Sequence, residues 1–182
     1  MADRKVLVIS TSLRAGSNSE VLADAVLKGV IESGDEGELI SLKEKTINFC
    51  KGCLACQKIH KCVMKDDMAE IVEKVKEAEI LVFVTPIYYY GMSGQMKTLL
   101  DRLNPLYGSD YNFRDVYLLT VAADESSNTP DRAVEGLEGW LECFENAHLK
   151  DTMFFGGIND ANFVKGKKDM IDLAYSLGWN IS

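Results

Sequence analysis

Histidine is nearly missing from this chain of 182 residues. Only His60 and His148 are present, too few for a multi-histidine metal site and a poor basis for a histidine-driven triad. A surplus of positive charge is missing as well: 20 Lys and Arg stand against 28 Asp and Glu, a formal net charge of −8, so no nucleic-acid surface is expected. No uninterrupted apolar run reaches membrane length, which argues against a membrane partner. The start Met-Ala-Asp-Arg-Lys leads into a short strand-like run instead of a signal peptide, and a cytoplasmic protein is expected. There is no G-x-x-x-x-G-K-[ST], so no Walker phosphate loop, and Gly16 stands alone where a dinucleotide fingerprint needs three glycines. The dispersed, even cysteine pairing of a small secreted scaffold is also absent. Four of the 5 cysteines lie between Cys50 and Cys62, which points to a reducing compartment and a local site. With no repeat, low-complexity run or linker, residues 1–182 read as one domain.

What is present is an alternation of strand and helix. Lys5–Ile9, Glu38–Leu42, Ile80–Val84, Val116–Ala123 and Lys150–Phe155 read as strands. The third is apolar throughout, as a strand buried on both faces of a parallel sheet would be. Helical spacing recurs in Val21, Leu22, Ala25 and Val26, with Asn18 or Ser19 as N-cap and Gly34 as stop. It recurs after Asp66, where Asp67 and Glu70 are spaced as a capping box, and from Ser93 through Met96, Leu99 and Leu103. Gln95, Lys97 and Arg102 are expected on that helix's solvated side. Pro130 opens a helix bearing Leu137, Trp140 and Leu141, with Cys143 expected in its core stripe, and Gly178 is expected to close the last helix. Asn104–Phe113 reads as a loop able to form a lid or a subunit contact. Five strand-helix alternations with right-handed crossovers give a three-layer α/β sandwich, a five-stranded parallel sheet of order 2-1-3-4-5.

In that order the loops after strands one and three flank the switch point, where ligands of open α/β sheets bind. The first, Ser10-Thr-Ser-Leu-Arg-Ala-Gly-Ser-Asn-Ser19, gathers hydroxyls, an amide and one cation just before a helix N-terminus, the chemistry of a phosphate cradle; simple helix capping is the alternative. The second, Thr85-Pro-Ile-Tyr-Tyr-Tyr-Gly91, is curled and aromatic, and three consecutive tyrosines cannot all face the core. Ala122 and Ala123, at the end of the fourth strand, leave room for something flat. The pair of loops suits a mononucleotide with a flat ring, and FMN fits both ends.

Cys50, Cys53, Cys56 and Cys62 form a C-x2-C-x2-C-x5-C run in which short gaps let neighbouring sulfurs face one point. From Lys51 to Lys65 there are four lysines, one histidine and no acid, charge that would offset thiolates or attract a phosphorylated cofactor. Iron-sulfur ligation, zinc, a metal-free redox pair and plain buried thiols all remain open on spacing alone.

The hydroxyl loop, the cysteine run leading into Asp66-Asp67-Met68, and Thr85-Pro-Ile-Tyr-Tyr-Tyr-Gly91 with Met92-Ser-Gly-Gln-Met-Lys97 and Asp101-Arg102 together resemble the flavodoxin-like NAD(P)H-dependent FMN reductases, in particular their iron-sulfur flavoprotein branch. The resemblance covers roughly the first 105 residues. It implies a flavodoxin-like sandwich and an FMN-dependent oxidoreductase that takes electrons from NAD(P)H to a quinone, flavin or other small acceptor. It places the FMN phosphate on Ser10, Ser12, Arg14, Ser17, Asn18 and Ser19, and the ribityl chain and ring along Pro86, Ile87, Tyr88, Tyr89, Tyr90 and Gly91. Cys50, Cys53, Cys56 and Cys62 match the branch that carries a [4Fe-4S] cluster. A homodimer or homotetramer is implied. The chain holds no obvious acid, base or nucleophile, in keeping with a cofactor that does the chemistry. The alternatives are an FMN electron carrier without its own NAD(P)H oxidation and a zinc- or iron-binding interaction module.

Overall fold

The computed structural model describes residues 4–181, so the first three residues, which entered the reading of localisation, lie outside the described part. Five strands, β1 (Lys5–Ser10), β2 (Glu36–Ser41), β3 (Ile80–Tyr88), β5 (Asp115–Val121) and β6 (His148–Phe155), pair in parallel in the order β2-β1-β3-β5-β6. The two-residue β4 (Gly91–Met92) folds back antiparallel on the end of β3. With that hairpin set aside, the order is the expected 2-1-3-4-5. β2 starts two residues earlier than its apolar content suggests, because its register follows β1, Lys5 opposite Glu36. No helix of the described residues is long and apolar enough to cross a membrane.

Alternation along the central strands sorts the core into two layers. Val6, Val8, Val82 and Val84 pack with Leu22, Val26 and Val30 of α1 (Asn18–Ser33) and Ala174 of α6 (Lys168–Asn180). Leu7, Ile9, Leu81 and Phe83 pack with Met68, Ile71 and Val75 of α3 (Met68–Glu77), Met96 and Leu99 of α4 (Gly94–Arg102) and Leu137 of α5 (Asp131–Leu141). Both faces of β1 and β3 are covered, which is why each reads as an unbroken apolar run. The remaining helix, α2 (Cys56–Ile59), is a single turn.

Several local expectations are corrected. Ser17, not Asn18 or Ser19, caps α1, its Oγ accepting from Glu20 N at 3.2 Å. Gly34 does end α1, at φ 102°. Gly178 does not end α6: it is buried inside the helix, where a Cβ would lie 2.0 Å from Val26 O, and Gly29 answers it from α1, 2.2 Å from Tyr175 O. These glycines let α1 and α6 meet backbone to backbone. The Asp67–Glu70 capping box does not form, because Asp67 Oδ2 accepts from Thr46 N at 2.6 Å instead, and Met68 N is served by Asp66 Oδ1 at 3.3 Å. The 104–113 segment is anchored at both ends, with the half-exposed Tyr107 between them. Leu106 and Phe113 are buried, and Tyr111 packs against Phe113 and Phe144 while its Oη accepts from Asn146 N at 3.2 Å.

Candidate functional site

The loop after β1 and the loop after β3 meet, and buried hydroxyls join them. Thr11 N donates to Val84 O at 2.9 Å, Thr11 Oγ1 lies 3.1 Å from Ser93 Oγ, and Thr85 Oγ1 donates to the same Ser93 Oγ at 3.1 Å. Ser93 also caps α4, its Oγ accepting from Met96 N at 3.2 Å. Between the loops lies a cleft of about 210 Å³ at the carboxyl edge of the sheet, on the side of the β1/β3 switch point.

One wall of the cleft is Ser12, Arg14, Ser17, Asn18 and Ser19, set over the start of α1, where a helix presents unpaired N–H groups and the positive end of its dipole. Pro86, Ile87 and Tyr88 form a second wall, and Val121, Ala122 and Ala123 a third. The alanines bring almost no side chain into the space. Ile158 and Asn159, which sequence reasoning missed, close the remaining side. In the sequence, the Gly156-Gly157 pair directly after β6 marks that turn.

The site residues named from sequence are not equivalent. Asn18 is committed to structure: its Nδ2 donates to Asp160 O at 2.7 Å and its Oδ1 accepts from Val164 N at 3.0 Å. Arg14 NH1 donates to Asn159 O at 2.7 Å, so the one cation of the loop is held at the cleft by the β6 loop. Gly16, at φ +67°, closes the same junction, since a Cβ there would meet the Asn162 amide at 2.6 Å. Ser10 is fully buried, and its Oγ has no hydrogen-bond partner.

β3 does not stop at Val84. It continues to Tyr88 and turns at Tyr89 and Tyr90, both left-handed, at φ 50° and 64°. A two-residue hairpin turn of this kind normally takes Asn and Gly. Tyr90 Oη donates to Asp124 Oδ2 at 3.2 Å and so ties the hairpin to the loop after β5. Asp124's carboxyl is held below its ordinary range, mainly by the Ser126 N–H at 2.9 Å and also by this tyrosine. Tyr89 is 100% exposed at the rim. Tyr89, Tyr90 and Gly91 thus shape the border, while Tyr88 alone of the three tyrosines lines the cleft. Hydroxyl donors and a cation over a helix start, opposite a wall of small side chains, fit a phosphorylated flat ring such as FMN.

The cysteine run forms a second site, beside the C-terminal end of α4. Cys50, Cys53, Cys56 and Cys62 line one cavity of about 460 Å³ with Trp140, Phe144 and Leu103. Gly52, Leu54 and His60 take left-handed backbone conformations, φ 62°, 57° and 51°, so the chain bends sharply between the thiols. Cys143, expected in the core, is exposed and borders the same cavity, because α5 ends at Leu141 before the stripe reaches it. Arg102 is a further correction. It is buried rather than solvated, and it pairs with Asp66, with each side chain 1% exposed. That guanidinium is the main reason the Asp66 carboxyl is held far below the usual carboxylate range. Among the described residues no three Cys, His, Asp or Glu side chains converge closely enough to enclose a metal ion. Four thiols sharing one cavity, two of them in contact with side-chain N–H donors, are nonetheless a donor set that suits an iron-sulfur cluster.

A family model described as NADPH-dependent FMN reductase matches residues 4–159. The chain is 36% identical over 156 residues to an iron-sulfur flavoprotein of Methanocaldococcus jannaschii, a match covering 86% of this chain and 77% of that protein. To an iron-sulfur flavoprotein of Archaeoglobus fulgidus it is 38% identical over 101 residues, 56% of this chain and only 46% of that relative. Among solved structures, an NAD(P)H:quinone oxidoreductase from Methanothermobacter marburgensis superposes with a TM-score of 0.73 at 15% identity, covering 100% of both chains. At that identity the likeness speaks for the fold alone.

Proposed function

Because the chain belongs to the NADPH-dependent FMN reductase family, in its iron-sulfur flavoprotein branch, and is thereby an NAD(P)H-dependent FMN oxidoreductase, we propose that the cleft at the β1/β3 switch point holds FMN and that the acceptor is a quinone, a free flavin or a similar small molecule. Bound FMN supplies acceptance of a hydride from the nicotinamide and release of electrons to the acceptor. The rest is the work of this chain. Ser12, Ser17 and Ser19 donate to the phosphate beside Arg14, while Ser10, fully buried, is not among the residues that line the cleft. Asn18 acts mainly by fastening the β6 loop. Pro86, Ile87 and Tyr88 lie along the ribityl chain and ring, Ala122 and Ala123 admit the flat ring, and the Tyr89–Gly91 hairpin borders it.

The observation that carries this reading is the junction of the hydroxyl loop and the tyrosine loop around one cleft. Its test is steady-state NADPH and NADH oxidation by FMN-loaded protein with a quinone, an azo dye or free FMN as acceptor. Turnover well above that of free FMN is expected; a protein that binds FMN but leaves the nicotinamide unconsumed would be a carrier instead.

In the same reading Cys50, Cys53, Cys56 and Cys62 hold a [4Fe-4S] cluster, a second electron store whose support is the shared cavity and the branch to which the chain belongs. A homodimer or homotetramer is part of the proposal. Leu13 and the 79% exposed Phe49 give an apolar patch next to the cradle that a second subunit would cover.

A further inference from the structure

The segment that carries the four cysteines is tied at both ends to one buried side chain. Arg102, the last residue of α4, donates from NH1 to Asn48 O at 2.6 Å and to Asp66 Oδ2 at 2.7 Å, and from NH2 to Asp66 Oδ1 at 2.8 Å. Asn48 returns two bonds to Asp66 Oδ2, from N at 3.0 Å and from Nδ2 at 3.1 Å. Asn48 lies just before Cys50 and Asp66 just after Cys62, so the guanidinium closes the cysteine loop at its base. The same end of α4 reaches the sulfurs themselves. Arg102 NH2 is 3.5 Å from Cys62 Sγ, and Asn104 Nδ2 donates to Cys56 Sγ at 2.9 Å. Nε of Arg102 is buried without a hydrogen-bond partner.

We propose that Arg102 and Asn104 are positioning residues of the cysteine site: Arg102 gathers the loop, and the two side chains together aim N–H donors at Cys62 and Cys56 so that a cluster held there is easier to reduce. The inference rests on the reading that the four cysteines hold a cluster. Reduction adds one electron and changes no covalent bond, and the added negative charge is shared with the ligand sulfurs. Hydrogen bonds to those sulfurs therefore favour the reduced form. The loop-closing ion pair also carries part of the ordering entropy that bringing four separate thiols together would otherwise cost.

The test uses the full chain, purified without oxygen and loaded with FMN, as the unsubstituted protein, as Asn104→Leu and as Arg102→Lys. Iron, sulfide and FMN are counted per chain, and the cluster is titrated with dithionite and followed by electron paramagnetic resonance. Asn104→Leu keeps its FMN and its iron, and its reduction equilibrium moves about tenfold toward the oxidised form, about 59 mV lower for one electron. Arg102→Lys keeps the charge but loses the fork, and its iron and sulfide fall at least twofold while FMN stays. If Arg102→Lys loses FMN as well, the fold has been damaged, and Asn104→Leu alone decides. An unchanged potential in Asn104→Leu overturns the donor role, and full iron in a folded Arg102→Lys overturns the gathering role. Iron and sulfide absent from the unsubstituted protein, with FMN bound, overturn the cluster reading itself and this inference with it.

Discussion

Thr11 Oγ1 and Ser93 Oγ lie 3.1 Å apart, both side chains sealed from solvent, one from each of the two loops that form the cleft. Ser93 Oγ also meets Thr85 Oγ1 and caps α4 at Met96 N. One hydroxyl therefore couples loop-to-loop alignment to the start of a helix. Ser93→Ala removes the cap and one partner each from Thr11 Oγ1 and Thr85 Oγ1, which keep their bonds to Val84 O and Pro86 O, an expected loss of about 1–2 kcal/mol. Because the same change lets the loops drift, FMN affinity should fall by tenfold or more. Chemical denaturation and a flavin-fluorescence titration read the two effects separately.

Ser12 and Ser17 border the same cleft but differ in what else they do. Ser17→Ala loses the α1 cap, so it should cost about 1 kcal/mol of stability and also weaken FMN binding. Ser12 accepts only a long bond, 3.4 Å from Arg14 N. Ser12→Ala should weaken FMN binding with less than about 0.5 kcal/mol of stability change. Equal stability losses in the two variants would count against this division of labour.

Acid should loosen the cysteine loop before the rest of the molecule. The Asp66 carboxyl titrates well below its ordinary value, chiefly because of the Arg102 guanidinium, with the Asn48 N–H groups adding to the effect and burial opposing it. In the unfolded chain the same carboxyl takes up a proton near pH 4. The unfolded state therefore binds the proton more readily, and the stabilisation is complete above that pH and lost as pH falls below it toward the depressed folded value. Asp66→Asn strands a buried guanidinium and should cost about 3–5 kcal/mol at pH 7. The gap between the two proteins should shrink steadily as the buffer is taken below pH 4, which urea denaturation at stepped pH values would record.

The sheet order and the two loops were legible in the sequence because each rests on local chemistry: apolar runs for strands buried on both faces, hydroxyls before a helix start, glycine and proline at a sharp exit. The misread residues owe their places to distant partners. Arg102 looks solvated by charge, and only Asp66 and Asn48, brought to it through the fold, explain its burial. Gly178 looks like a helix stop until Gly29 is seen across from it. Ile158 and Asn159 carry no chemical signature and enter the cleft through the path of the loop after β6.

The glycine contact makes a sharp stability prediction. A methyl group on Gly178 or Gly29 would collide with backbone, at 2.0 and 2.2 Å, so Gly178→Ala and Gly29→Ala should each cost about 3 kcal/mol or more. The double variant should cost less than the sum, because either change alone already separates α1 from α6. Gly139, in α5 with nothing within 4 Å of its added carbon, is the control, and Gly139→Ala should stabilise by about 0.5–1 kcal/mol. Thermal denaturation ranks all four.

The central claim is that the cleft walled by Ser12, Tyr88 and Ala122 holds the flavin that NAD(P)H reduces. The most direct measurement is an anaerobic titration of the FMN-loaded protein with NADPH, followed at the flavin absorbance band and repeated with Ala122→Leu, whose larger side chain fills the floor of the cleft. One FMN per chain, bleached by NADPH faster than free FMN, together with loss of FMN from the folded Ala122→Leu protein, is the predicted result. A flavin band that NADPH leaves unchanged, or full FMN binding by Ala122→Leu, would contradict it.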